Sequence, residues 1–416
     1  MWTICRMKNL FTERIERSEH GTETHLSMSQ RYGLVADLGE KRMLSETYVG
    51  GKLCYEGDIV LNRLKAHLGV FALAKQGGVI SPDYTVLQPN NTRITPRFAE
   101  YYLKSDYCRH ELRTRVRGVV EGFWRLYTDD FNTIKINLPS LEEQDQIVSY
   151  LDWKVSQINK LINSKRRQIE LLREKRQQTI FGTIKNRDGW SKDKVTRLFA
   201  AIGSGTTPKG GNINYYADGN IPWVNSGDLK GKNLYTARRS VNNNALSDYS
   251  VLKQFDEDTI VIAMYGASIG NISIAKMLFC SNQACCNLGK IDDRLQLDFA
   301  FYSLFMQKLA WIEESKGGGQ PNISQDVIKQ TWLYFPEYDE QVRIATFLDV
   351  QCAKIDDILN KYNDEMALLN EYRTRLISNV VTGKQDVRGI IIPDYESVEI
   401  AINADELNET EVLSDE

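Results

Sequence analysis

No run in this 416-residue sequence stays apolar for the roughly 18 residues a bilayer-spanning helix needs. The opening Met1-Trp2-Thr3-Ile4 lacks a basic leader and a cleavage site. These absences predict a cytoplasmic protein that does not engage a membrane. Seven cysteines form no C-x-x-C pair, and four histidines are scattered without metal-ligand spacing. Reduced structural thiols are therefore expected, with no metal and no cofactor. An excess of one charge is also missing, since the net charge is -3. The distribution is less even than the total. Residues 390–416 carry nine Asp or Glu and no Lys or Arg, which leaves 52 basic against 46 acidic residues, or +6, on residues 1–389. A mildly basic body with a solvated, disordered acidic tail over 388–416 is the expectation.

Catalytic signatures are scarce as well. Gly205-Thr206-Thr207-Pro208-Lys209-Gly210-Gly211 has the glycine spacing of a phosphate loop, but Gly211-Asn212 stands where Lys and Ser/Thr are required. Ser81-Pro82-Asp83-Tyr84 is close to the motif with which amino-methyltransferases hold a flipped base. It lacks the leading Asn or Asp and the second Pro, and reads as a turn. Asp298 with Glu314 and Lys316 can be drawn as a Mg-dependent nuclease triad. That alternative stays open beside a second one, a coiled-coil scaffold without DNA contact.

What the sequence does contain is a repeat. Leu138-Pro139-Ser140-Leu141-Glu142-Glu143-Gln144 through Leu151-Asp152 returns 197 residues later as Phe335-Pro336-Glu337-Tyr338-Asp339-Glu340-Gln341 through Leu348-Asp349. Ile158 falls on Ile355, Leu172 on Leu369 and Arg176 on Arg373 in the same register. Upstream the offset drifts to 201 and then 188, as differing loop lengths require: Ile59 and Val60 match Ile260 and Val261, and Trp2 and Phe11 match Trp190 and Phe199.

Each copy opens a heptad-like helix. The first seam runs through Ile147, Leu151, Val155, Ile158, Ile162, Ile169 and Leu172, the second through Ile344, Leu348, Ile355, Leu359, Tyr362, Met366, Leu369 and Leu376. Roughly 40 helical residues reach about 60 Å, longer than one globule needs. The fold class expected is α+β: mixed α/β domains at 1–140 and 188–336, and long helices at 141–187 and 337–387 that pair antiparallel as a coiled-coil spacer. Strands are predicted at Ile59 to Asn62, Thr85 to Gln88, Thr259 to Ala263 and Ile272 to Ala275, and short helices around Pro96 to His110 and Asp298 to Glu314. Residues 160–187 hold nine Lys or Arg against Glu170 and Glu174, an excess suited either to a phosphate backbone or to i,i+4 pairing.

Glycine-flanked loops carry the side chains that suit base edges. In the first half these are Asn62, Arg63, Lys65, His67, Arg115, Arg117 and Arg125; in the second, Lys209, Asn212, Lys316, Gln320 and Asn322. Arg and Lys match guanine O6 and N7, while Asn and Gln match adenine. Gln144, Ile147, Leu151, Ile158, Leu172 and Arg176, with Gln341, Ile344, Leu348, Ile355, Leu369 and Arg373, are the candidates for spacer and partner-docking roles.

With the Pro-led Glu-Gln opening, the long helices and the repetition in place, the chain resembles the specificity subunit of Type I restriction-modification systems. Leu171-Leu172-Arg173-Glu174-Lys175-Arg176, Val381-Thr382-Gly383-Lys384, Gly203-Ser204-Gly205-Thr206-Thr207-Pro208-Lys209, Ile221-Pro222-Trp223-Val224 and Gly319-Gln320-Pro321-Asn322-Ile323-Ser324 carry that resemblance with the repeated phrase. It implies two target-recognition domains, each reading half of a bipartite double-stranded DNA sequence across a gap set by the helices. It also implies docking to two DNA adenine methyltransferase subunits, and through them to motor-endonuclease subunits, by a chain that catalyses nothing itself.

Overall fold

The computed structural model describes residues 2–29, 33–36, 48–118, 124–185, 189–209, 213–314 and 322–401. The chain divides into two compact units, Met1–Ile169 with Asn360–Glu416, and Glu170–Leu359. Each unit holds one globule and part of both long helices.

The first unit is centred on a four-stranded antiparallel sheet in the order Phe11–Arg14, Tyr84–Pro89, Ile59–Asn62, Phe71–Leu73. β-Branched and aromatic residues fill its inner strands, and Ile59, Leu61, Phe71 and Leu87 are buried in one core. Against it lie two short helices, Pro96–Leu103 and Asp106–Arg113. The break between them falls at Ser105, whose Oγ accepts from the Cys108 amide at 3.3 Å and starts the second helix. A separate strand pair, Thr3–Arg6 with Lys135–Leu138, leads into the first long helix.

The second unit repeats this plan with private additions. Phe199–Gly203, Cys285–Ile291, Thr259–Ala263 and Ile272–Ala275 take the same order, with Asn233–Leu234 added in parallel at the edge. A three-stranded sheet, Ser240–Val241, Ile221–Val224 and Cys280–Ser281, is inserted. Ser191–Lys194 pairs with Trp332–Phe335 as Thr3–Arg6 pairs with Lys135–Leu138. All seven cysteines are buried and unbridged, and burial pushes the Cys280, Cys285 and Cys286 thiols up to about 12.

The long helices run Leu141–Thr183 and Tyr338–Val381. Within the first unit they pair antiparallel. Arg373 Nη1 donates to Asn159 Oδ1 at 3.2 Å, while further along Lys165 pairs with Glu365 at 2.5 Å and lies over the Tyr362 ring. Ile147, Leu151, Ile158 and Ile162 share a core with Leu376, Val380 and Val381. Within the second unit Arg176 pairs with Asp356 at 3.3 Å, and Ile180 and Ile184 share a core with Ile344, Leu348 and Cys352.

Residues 388–401 overturn the expectation of a disordered tail. They continue from the second long helix as an ordered strap hydrogen-bonded along the first, with Ile390, Ile392 and Ile400 packed on the first core. The remainder of the expected tail, 402–416, lies outside the described residues. No helix among the described residues is long and apolar enough to cross a membrane.

Candidate nucleic-acid interface

Each globule is seated on its long helix in the same way. Gln144, fully buried, accepts from the Thr95 amide at 2.8 Å and donates to the Arg93 and Pro139 carbonyls at 2.9 and 3.1 Å. Gln341, also fully buried, accepts from the Gln296 amide at 2.8 Å and donates to the Arg294 and Pro336 carbonyls at 2.8 and 2.9 Å. These two glutamines fasten a globule to its helix. Their burial removes them from partner docking, as it does Ile147, Leu151, Ile158, Ile344, Leu348 and Ile355. Of the remaining spacer candidates, Leu172 and Leu369 are half-buried, and Arg176 and Arg373 cross-link the helices.

In the first unit the strand Ile59–Asn62 ends in a helical turn, Arg63–Leu68. The Asn62 side chain caps it, its Oδ1 accepting from the Leu64 and Lys65 amides at 3.1 and 3.3 Å. The turn is closed by Gly69 in the left-handed region at φ 74°. Arg63 Nε donates to the Asp83 carbonyl at 3.0 Å, and the Asp83 carboxylate pairs with Arg125 at 3.5 Å. Arg117 and Arg125 exchange backbone hydrogen bonds at 3.0 and 2.8 Å, and the Leu126 amide donates to the Arg63 carbonyl. Arg113 Nε reaches the His67 carbonyl at 3.2 Å, and Trp124 meets the His67 ring edge-on. One sheet end thus gathers Arg63, Arg113, Arg117 and Arg125 around an exposed tryptophan.

The cations there are only partly compensated. Arg117, 70% exposed, touches Asp130 at 2.5 Å, and Arg125 has Asp83. Burial, with Arg113 nearby, pushes the His67 imidazole below its usual value, so it presents a neutral ring at neutral pH. Two candidates are committed to folding. Asn62 spends its oxygen on the cap, and Arg115 turns back onto the Glu111 carbonyl at 2.7 Å and the Glu111 carboxylate at 2.9 Å. Lys65 is half-buried on the turn. Ser81 to Tyr84 forms the expected turn, closed by a hydrogen bond from the Tyr84 amide to the Ser81 carbonyl.

The corresponding sheet end of the second unit carries different chemistry on the same frame. The Ile323 amide donates to the Met264 carbonyl at 2.9 Å, the counterpart of the bond from Leu126 to Arg63, so Asn322 stands where Arg125 stands. Tyr265, half-exposed, bridges Asn322, and the Met264 amide donates to the Ala284 carbonyl. Thr207 Oγ1 donates to Gln283 Oε1 at 2.7 Å, and the exposed Lys209 is held through its amide by the Tyr249 hydroxyl. Asn212, Lys316 and Gln320 lie outside the described residues. Tyr265 escapes a sequence reading, though an aromatic between a buried strand and Gly266 is the signal that marks it. Of the nuclease triad, Asp298 is ion-paired with Lys232 at 2.7 Å, while the Glu314 side chain and Lys316 lie outside the described residues.

The model of the Type I restriction modification DNA specificity domain matches twice, over residues 33–171 and 187–366. A Methanocaldococcus jannaschii protein, the MjaX type I restriction enzyme specificity subunit, is 22% identical over 363 residues, 80% of this chain and 79% of the relative. The MjaIX specificity subunit of the same organism is 26% identical over 196 residues, 46% of this chain and 43% of the relative. A solved chain from work on complex assembly and conformational transition of the type I R-M system superposes with a TM-score of 0.65 at 17% identity. That match covers 92% of this chain and 98% of the other, a likeness of fold.

Proposed function

The chain belongs to the Type I restriction-modification DNA specificity family, and from that premise we propose that each of its units reads one half of a bipartite duplex target. In this reading the first unit presents Arg63, Arg117 and Arg125, guanidinium donors suited to guanine O6 and N7, with Trp124 against the groove wall. The second presents Lys209, Gln283 and Asn322 beside Tyr265, amides suited to adenine and a point charge suited to a phosphate. The paired helices set the gap between half-sites. Two DNA adenine methyltransferase subunits dock on the same chain and supply the methyl transfer, and motor-endonuclease subunits join through them. This chain positions and does not react.

The observation that carries the proposal is the pair of equivalent backbone bonds, Leu126 to Arg63 and Ile323 to Met264, which hold unlike side chains, Arg125 and Asn322, at the same place on two copies of one frame. A scaffold that avoided DNA would have no need for two differently equipped copies. The test is to exchange residues 1–135 for those of a related chain and map adenine methylation in DNA from cells carrying the complex. One half-site changes and the other, with the gap, is retained. Unaltered methylation, or loss of both half-sites in a complex that still assembles, refutes the assignment.

A further inference from the structure

The first long helix holds an extended segment along one face with a stripe of polar side chains separate from its apolar seam. Gln146 Nε2 donates to the Val387 and Ile390 carbonyls at 3.0 and 2.9 Å. Ser156 Oγ donates to the Glu396 carbonyl at 3.0 Å and accepts from the Val398 amide at 2.8 Å. Asn159 donates to the Val398 carbonyl at 3.0 Å. Asn163 brackets residue 400, donating to the Glu399 carbonyl at 2.9 Å and accepting from the Ala401 amide at 3.1 Å, and Arg166 donates to the Ala401 carbonyl at 2.9 Å. Every one of these bonds reads backbone. A stripe of this kind binds an extended peptide with little regard to its side chains, as strand addition to a sheet edge does.

The strap also covers apolar surface that its counterpart leaves bare. Tyr150, 5% exposed, and the half-buried Trp153 belong to the core on which Ile390, Ile392 and Ile400 pack. At the positions 197 residues on, Phe347 and Val350 are 50% and 48% exposed. Ile358, also exposed, shares their stripe. The holding chemistry is thinner there too: Asn360 matches Asn163, but Ala353 replaces Ser156, and Asp356, paired with Arg176, replaces Asn159.

We propose that residues 386–401 are a resident, displaceable ligand of the stripe Gln146, Ser156, Asn159, Asn163 and Arg166, and that this cover makes the two methyltransferase docking faces inequivalent. The inference rests on the proposed function. One methyltransferase subunit takes the open face at Phe347 and Val350 directly. The other must first release the strap, whose hold is backbone hydrogen bonds, three isoleucines and two surface ion pairs, Lys75 with Glu399 and Arg388 with Glu143. The two docking steps are therefore unequal by the fraction of time the strap is off.

Titration of the full chain with its own methyltransferase subunit, followed by native mass spectrometry and calorimetry, tests this. Two events are expected, the second weaker by about tenfold or more, since affinity falls with the population of the competent state. Phe347→Glu removes the tighter event. Ser156→Ala with Asn163→Ala, or Val398→Pro, which deletes the amide that Ser156 accepts from, raises hydrogen exchange over 387–401 and brings the second constant close to the first. Equal constants in the unaltered chain overturn the proposal, and so does a second constant unmoved in a variant whose strap exchanges freely. If exchange stays slow in both variants, a chain ending at residue 385 takes the same titration, and an unmoved second constant there is decisive against it. Absence of binding by every form overturns the proposed function instead, a result distinct from two equal events.

Discussion

Gln144 and Gln341 make the same three hydrogen bonds in their units, yet the charges beside them come from different places. In the first unit Tyr101 donates to Asp152 at 2.6 Å, and Arg97, one turn earlier on the same short helix, adds a bond to that carboxylate at 2.7 Å. In the second, Tyr302 donates to Asp349 at 2.7 Å, but the position matching Arg97 is Asp298. The cation there is Lys232, arriving from the loop before Asn233–Leu234 and pairing with both Asp298 and Asp349. The repeat keeps the geometry of the joint and lets the charges be resupplied from elsewhere. A buried amide that satisfies three backbone groups has no substitute, whereas a cation needs only proximity.

The hardest test of that comparison is to remove the amides. Gln144→Leu and Gln341→Leu each strand one backbone amide and two carbonyls inside a packed joint, and at about 1 to 3 kcal/mol per unsatisfied group each costs its unit about 4 kcal/mol. Hydrogen exchange resolved by unit measures it. A large loss in one unit with none in the other breaks the equivalence.

Acid separates the units. Although burial pushes it up, the Glu100 carboxyl is held down at about 2 by Lys104 and Arg97, against an ordinary 4.5. A group depressed in this way stabilises the fold above its unfolded value, and that stability is lost as the pH falls through the folded one. The first unit therefore loses roughly 3 kcal/mol between about pH 4.5 and about pH 2. The matching position in the second unit is Phe301. The carboxyl three residues before it, Asp298, is raised by burial and more than offset by Lys232 and Gln296, so loss there begins only below the ordinary 3.8. Exchange at pH 4 should show the first unit opening ahead of the second, and Glu100→Gln should flatten the difference; simultaneous opening refutes it.

At the edges proposed to read DNA the units differ in side chain, Arg125 in the first and Asn322 in the second. Arg125→Ala should weaken the first half-site by about 2 kcal/mol and relax its sequence, leaving the second half-site as it was, whereas Asn322→Ala should do the reverse. Methylation mapping with each variant checks both, and a uniform loss over both half-sites would make these residues general anchors.

Much of this frame is legible in the residues. The runs Ile59–Asn62, Thr259–Ala263 and Ile272–Ala275 are strands because β-branched side chains crowd them, and the helices open at the repeated Glu-Gln phrase because apolar residues recur there at heptad spacing. The joints and the strap are less legible. Gln144 reads as a polar helix residue until the Arg93 and Pro139 carbonyls are seen around it. Acidic composition argues for disorder over 388–401, but the groups that order this stretch sit on a helix some 240 residues earlier and bind its backbone, which composition does not register. Arg115 and Asn62 have the right side chains for base edges and spend them locally, a choice only the fold decides.

The smallest effect is the most discriminating for the joint itself. Tyr101→Phe and Tyr302→Phe each delete one hydroxyl that donates to an aspartate, a loss of about 1 kcal/mol for a hydrogen bond to a charged acceptor that keeps another donor. The two should not be equal. Asp152 Oδ1 retains both Arg97 Nε and Nη2, at 3.1 and 2.7 Å, and the guanidinium also lies 4.7 Å from the centroid of the ring that the phenylalanine would preserve. Asp349 retains a single ammonium, and that ammonium is shared with Asp298. Tyr302→Phe should therefore cost more than Tyr101→Phe, by a few tenths of a kcal/mol up to about 1 in exchange or urea midpoints. The reverse order would mean that the cation brought in by a loop holds its aspartate better than the one built into the helix.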